Sequence, residues 1–151
     1  MNVEGPLTGR SVDCEPILRA LPAWFGIEEA NQHYIAFVDR NPTFIAYDEG
    51  RAVGFVSIER SFAHSAEIYV MAVHPDHHRQ GAGRLLLQAT EAFLKEQGVR
   101  FLQVKTLSSK HPSPEYAQTR AFYLAQGFVP LEEFPELWGP HNPCLQLIKA
   151  L

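Results

Sequence analysis

The chain has 151 residues, a formal net charge of −4 with histidine neutral, 46% apolar residues and 20% charged ones. That balance suits one globular domain spanning residues 1–151 with a real core, and it argues against a disordered chain or a globally basic nucleic-acid binder. No run approaches the ~20 apolar residues of a membrane span and the first ten residues lack a signal-peptide core, so the expected setting is the cytoplasm, away from membranes.

Residues 1–10 read as a loosely held segment or a short edge strand. Helix signals begin at Asp13, a candidate N-cap, with Pro16 tolerated in the first turn and Ile17, Leu18 and Leu21 on one face until Pro22. A second helix is predicted from Ile27 to Asp39, where Ile27, Ala30, Tyr34, Phe37 and Val38 recur at helical spacing, and Asn41-Pro42 ends it. The period then shortens. Thr43–Tyr47 and Ala52–Glu59 are β runs joined by the turn Asp48-Glu49-Gly50-Arg51, and Ala66–Val73 completes an antiparallel meander.

After Pro75 comes a polar, basic loop, and from Gly83 to Gln97 an amphipathic helix presents Leu85, Leu86, Ala89, Ala92 and Phe93 on one face. Arg100–Thr106 is the next strand, which makes a right-handed βαβ crossover. Ser113 and Pro114 form a helix entry, as N-cap and first helical residue, for a helix running to Gln126. Phe128–Leu131 and Cys144–Ile148 can pair as closing strands. The expected fold class is α/β, of the α+β kind, with a mixed sheet. Cys14 and Cys144 fit no zinc or redox spacing and are expected to be reduced structural residues.

The loop between Val73 and the crossover helix is the stretch with chemistry in it. A strand feeding a glycine-bearing turn at a helix start offers unpaired amides and the positive end of the helix dipole to an anion. Gly81 and Gly83 let the backbone approach closely, and Arg79 and Arg84 add charge. The spacing matches neither a dinucleotide fingerprint nor a P-loop. His74, His77 and His78 invite a metal reading, but their turn positions lack a ligand spacing, so no metal is expected.

His78-Arg79-Gln80-Gly81-Ala82-Gly83, following the strand Glu67–Val73, resembles the Gln/Arg-x-x-Gly-x-Gly/Ala signature of the GNAT superfamily of acetyl-CoA-dependent N-acetyltransferases. Arg120-Ala121-Phe122-Tyr123-Leu124-Ala125-Gln126-Gly127-Phe128 is similar to the Phe/Leu-Tyr-x-x-x-Gly-Phe segment of the same superfamily. The resemblance spans Thr43 to Leu151. The first signature position is His78, where Arg or Gln is usual, and Tyr116 stands where many members carry an Asn, with Thr119 as its neighbouring substitute.

The resemblance implies a GNAT fold: a twisted, mostly antiparallel mixed sheet with a central βαβ crossover and flanking helices. It implies acetyl-CoA as cosubstrate, contacted by Met71, Ala72, Val73, His78, Arg79, Gln80, Gly81, Ala82, Gly83, Arg84, Thr119, Phe122 and Tyr123. It makes the backbone amides of Met71 and Val73 free, and one of them would polarise the thioester carbonyl, an oxyanion-type role. Tyr123 would donate to the departing sulfur. An alkylammonium is only ~0.04% neutral at pH 7, so attack needs a proton route, and Glu67 is the candidate base, directly or through water.

The implied reaction is direct transfer to a primary amine in a ternary complex. The acceptor is a small molecule or a peptide, and the acidic balance leans toward a cationic one. Lys105, Ser108, Ser109, Lys110 and His111 are available to line its cleft. A non-catalytic acyl-CoA sensor and a nucleotide-phosphate binder are the competing readings, and a homodimer is left open.

Overall fold

The computed structural model describes residues 1–151. In chain order the elements are β1 (Asn2–Leu7), α1 (Ser11–Arg19), α2 (Glu28–Arg40), β2 (Thr43–Asp48), β3 (Arg51–Phe62), β4 (Ser65–Val73), α3 (Ala82–Glu96), β5 (Phe101–Leu107), α4 (Pro114–Ala125), β6 (Val129–Phe134) and β7 (Cys144–Ala150), with a 3-10 turn at Pro75–His77. The strands form one sheet in the order β1-β2-β3-β4-β5-β7-β6. Every pairing is antiparallel except β4 with β5, which the crossover through α3 makes parallel.

Alternation along the strands sorts the apolar side chains onto two faces. On one face Val56, Ile58, Ala66, Ile68, Leu102, Val104 and Leu147 meet α3 through Leu86, Leu87 and Leu94, and meet α4 through Tyr123. On the other, Ile45, Phe55, Val70 and Ala72 receive Cys14, Ile17, Leu18 and Val38 from α1 and α2. Burying one such Leu, Ile or Phe contributes about 1.5–3 kcal/mol, so this two-sided pattern fixes the register of the central strands.

The expected fold is the observed one, with informative differences at element ends. Asp13 is not the N-cap of α1. It lies in the first turn, and the capping residue is Arg10, which offers no side-chain bond. The Ser11 amide is instead satisfied by Asp39 Oδ1 of α2 at 3.0 Å, a cap supplied across the helix pair. β3 runs on to Phe62, past the predicted Glu59, because only Ala63 and His64 are needed to turn into β4. β7 inserts between β5 and β6, so the last strand in sequence is not the sheet edge. Ser113 does cap α4, its Oγ accepting from the Tyr116 amide at 3.2 Å. No helix is long and apolar enough to cross a membrane.

Two features of β4 position everything that follows. A register shift between the Ser57 and Ile58 pairings leaves Tyr69 as an extra residue, a bulge in the middle of the strand. The parallel pairing with β5 stops at Ile68 and Val104, so Tyr69–Val73 has a partner only on the β3 side.

Candidate active site

The backbone of β4 beyond Ile68 is half used. His74 N donates to Val53 O on β3 at 2.8 Å. Because amides alternate in direction along a strand, those of Ala72 and Val70 also face β3, while Met71 and Val73 face the gap left by β5. The Ala72 side chain is buried in the α1/α2 core. Of the three β4 residues expected at the cofactor, Met71 and Val73 thus present backbone to the gap and Ala72 does not.

His78 closes part of that edge. Its Nε2 lies 2.7 Å from Val73 O, and since a carbonyl only accepts, Nε2 carries the hydrogen. The residue at the first signature position is therefore bound to the strand. Trp24, from the α1–α2 connection, meets the His78 ring edge-on at 5.7 Å.

The loop after β4 is shaped for an anion. No carbonyl or side chain accepts from the amides of Arg79 through Arg84, and α3 begins at Ala82. Arg79 has φ 62, a left-handed conformation that costs a non-glycine residue roughly 1–2 kcal/mol. Gln80 Nε2 donates to Asp76 O at 3.1 Å and braces the turn. Gly81 has φ +86 and open space where a Cβ would stand, whereas a Cβ on Gly83 would lie 2.9 Å from Phe122 Cζ. Gly81 thus serves backbone shape, and Gly83 lets the start of α3 pack against Phe122. The unpaired amides, the helix start and two exposed arginines fit a diphosphate.

The other side of the gap is α4. Tyr123, Thr119 and Tyr116 recur at helical spacing on one face. The Tyr123 hydroxyl is 3.8 Å from Met71 Sδ, which sets the phenol beside the unpaired stretch of β4. Burial pushes the Tyr123 phenol well up from its ordinary value, with a smaller push from Tyr116, so it stays a proton donor. Thr119 Oγ1 accepts from the Trp24 indole at 3.1 Å, and the Tyr116 hydroxyl donates to Trp24 O at 2.6 Å. Burial, then nearby Tyr34, raises the Tyr116 phenol to about 12. Both residues at and near the position of the usual Asn therefore hold the α1–α2 connection. Arg120 Nη1 donates to Leu107 O at 2.7 Å and fastens α4 to the end of β5.

Glu67 lies at the paired end of β4, on the α1/α2 face, with Lys105 Nζ 2.8 Å from its Oε2. One carboxylate oxygen is engaged and the other is left to accept from a water. Tyr69 stacks on Phe37 at 3.9 Å and meets Tyr34 edge-on, which puts an aromatic cluster from α2 against β4. Among the other residues expected near the acceptor, Ser108 is buried in a turn, Lys110 is paired with Glu133 of β6, and Ser109 is exposed. One ring nitrogen of His111 is buried without a partner.

The three loop histidines diverge. His74 Nδ1 accepts from the Asp76 amide, His77 binds Asp48 of β2 at 3.3 Å, and His78 binds Val73 O. No three His, Cys, Asp or Glu side chains converge as a metal-binding group. Trp24, Tyr34 and Tyr69 are not among the site residues expected from the sequence, where Tyr34 counts only as part of the apolar face of α2. The usable signal was Pro22-Ala23-Trp24-Phe25-Gly26, two large aromatics in a short loop framed by turn residues.

A family profile described as the acetyltransferase (GNAT) domain matches residues 39–130. An uncharacterised N-acetyltransferase of Chlorobaculum tepidum is 31% identical over 104 residues, which are 67% of this chain and 60% of that protein. The match thus spans less than two thirds of that relative. A GNAT-family protein from Desulfovibrio desulfuricans superposes with a TM-score of 0.85 at 17% identity, covering 98% of this chain and 97% of that one. The ribosomal-protein-S18-alanine N-acetyltransferase of Escherichia coli gives 0.76 at 19%, covering 99% and 92%. An aminoglycoside 6'-N-acetyltransferase complexed with coenzyme A gives 0.77 at 14%, covering 99% and 97%. At these identities the structural likeness is one of fold.

Proposed function

The chain belongs to the GNAT acetyltransferase family, and from that premise we propose that it moves the acetyl group of acetyl-CoA directly to a primary amine in one ternary complex. Acetyl-CoA, when bound, supplies the activated acyl group. The loop Arg79–Arg84 holds the diphosphate on its free amides, and Phe122 backs the loop through Gly83. The amides of Met71 and Val73 donate to the thioester oxygen as it gains charge. The amine nitrogen forms the new C–N bond, the C–S bond breaks, and the Tyr123 hydroxyl donates a hydrogen bond to the leaving sulfur. Glu67 relays the amine proton through a water on its free oxygen.

The observation that carries this reading is the end of the β4–β5 ladder at Ile68 and Val104. It leaves two unpaired amides in a gap whose other wall brings the Tyr123 phenol to Met71. A thermal-shift plate with acetyl-CoA, ATP and NAD is the first test. Stabilisation by acetyl-CoA alone is expected; no shift with acetyl-CoA contradicts the proposal, and a shift with ATP or NAD instead supports a nucleotide-phosphate binder. A non-catalytic acyl-CoA sensor is the second reading, favoured by the engagement of Glu67 with Lys105. Thiol release with an amine panel separates the two: turnover lowered by Tyr123→Phe and Glu67→Gln supports transfer, and acetyl-CoA binding without any turnover supports the sensor.

A further inference from the structure

The face of the sheet that carries Glu67 is covered over only part of its width. The α1/α2 core is made with Ile45, Phe55, Val70 and Ala72 and includes no residue of β5, β6 or β7. On the uncovered part lies an open groove of about 300 Å³ lined by Ser65, Phe101, Gln103 and Ile148, with His64 and Arg100 at its far end. These side chains belong to one face. Phe101 and Gln103 alternate with the core residues Leu102 and Val104, and Ile148 follows the core residue Leu147.

The groove lies on the same strands and the same face as Glu67 and Lys105. Glu67 is two residues along β4 from Ser65, and Lys105 is two along β5 from Gln103, all on this face. Gln146 of β7 donates to Gln103 across the floor, and Glu59 of β3 stands opposite Glu67 in register. The end beside the gap therefore carries two carboxylates against one ammonium. The far end is cationic. Arg100 lies 5.6 Å from the centroid of the Phe101 ring and has no ion-pair partner.

The geometry points to a peptide as the acceptor, its reactive amine at the gap and its chain extended along this groove, with an acidic side chain meeting Arg100. This rests on the acetyl-transfer reading. The charge order matches such a ligand: a cationic amine approaches Glu59 and Glu67, and a carboxylate reaches the unpaired guanidinium. The two glutamines offer donors and acceptors to main-chain amides, which need partners wherever they are desolvated. A polyamine or an aminoglycoside would bring positive charge toward Lys105 and Arg100, and a small monoamine would leave the groove unused. Met71 lies six residue steps along β4 from Ser65, roughly 20 Å at strand rise, which an extended chain covers in about six residues. The acidic side chain accordingly belongs at the fifth or sixth position.

The test offers the full chain acetyl-CoA and three hexapeptides with free N-termini, differing only in Glu, Gln or Lys at positions five and six, and reads kcat/KM from thiol release. The Glu peptide is expected to exceed the Gln peptide by about fivefold, the upper range for one part-exposed ion pair, with the Lys peptide lowest. Arg100→Gln should level the three, and Arg100→Glu should invert their order. Equal kcat/KM for all three overturns the inference, as does a polyamine or aminoglycoside preferred over every peptide. The peptide comparison uses the unaltered chain, so it decides the matter even where a variant folds poorly. If no amine releases thiol, the acetyl-transfer reading fails. If peptides are acetylated without regard to distal charge, only the groove assignment fails.

Discussion

On the acetyl-transfer proposal, the two walls of the gap would hold their reactants by different means. The loop Arg79–Arg84, proposed to hold the diphosphate, is one continuous stretch that offers its backbone: free amides, a helix start, and glycines where a side chain would strain or collide. The side proposed for the acceptor is assembled from side chains of separate elements, with Trp24 from the α1–α2 connection, Tyr34 from α2, Glu67 and Tyr69 from β4, Lys105 from β5 and Tyr116 from α4. A site built from backbone tolerates changes of side chain provided the glycines remain. A site built from dispersed side chains can change its ligand through single substitutions while the fold is kept.

Gly83→Val should break the loop most completely. The added carbons meet Phe122, overpacking of this kind costs about 1–3 kcal/mol, and acetyl-CoA should no longer raise the melting temperature. Tyr123→Phe should lower kcat about 10²-fold, at the low end for a proton-donating group, with KM for acetyl-CoA nearly unchanged. Because the only partner of that hydroxyl is Met71 Sδ at 3.8 Å, denaturant unfolding should show little loss of stability. A Tyr123→Phe variant with full kcat would remove the phenol from the mechanism. Glu67→Gln should lower kcat about tenfold, within the reach of a base acting through water, and leave acetyl-CoA binding intact; steady-state kinetics beside a thermal shift separates the two effects.

Tyr116→Phe acts on the acceptor side alone. It removes the bond to Trp24 O, costs about 1 kcal/mol, and should raise KM for the acceptor but not for acetyl-CoA. The smallest effect is an alkaline one. Tyr116 titrates near 10.0 unfolded and about 12 folded, and burial with Asp13 and Asp39 nearby raises Cys14 from 9.0 to about 12. The folded state binds more protons across that interval, so stability is full below about pH 9 and falls as pH rises toward 12. Urea unfolding at pH 8 and pH 11 should show the decrease, and unchanged midpoints would contradict it.

The same contrast explains what was legible in the sequence. The loop could be read because its information is local: Gly81, Gly83 and the strand before them are contiguous, and a backbone site needs little else. Tyr123 stood out through its motif, and the structure sets its hydroxyl beside Met71. His78 and Thr119 were legible as positions but not as partners, since Val73 O and the Trp24 indole reach them only through the folded chain. Lys105 is 38 residues from Glu67, and no periodicity could announce that they pair. The capping of Ser11 by Asp39 escaped for the same reason. The part of one sheet face left without a helix depends on where α1 and α2 pack, which no strand pattern records.

Hydrogen exchange at single-amide resolution tests the central claim most directly. Without ligand, the amides of Met71 and Val73 should exchange faster than those of Val70 and Ala72, which face β3. Acetyl-CoA should then slow Met71, Val73 and the loop Arg79–Arg84 while leaving Ile68 and Val70 unchanged. Unaltered exchange at Met71 and Val73 under saturating acetyl-CoA would contradict the assignment of the gap between β4 and β5 as the thioester site.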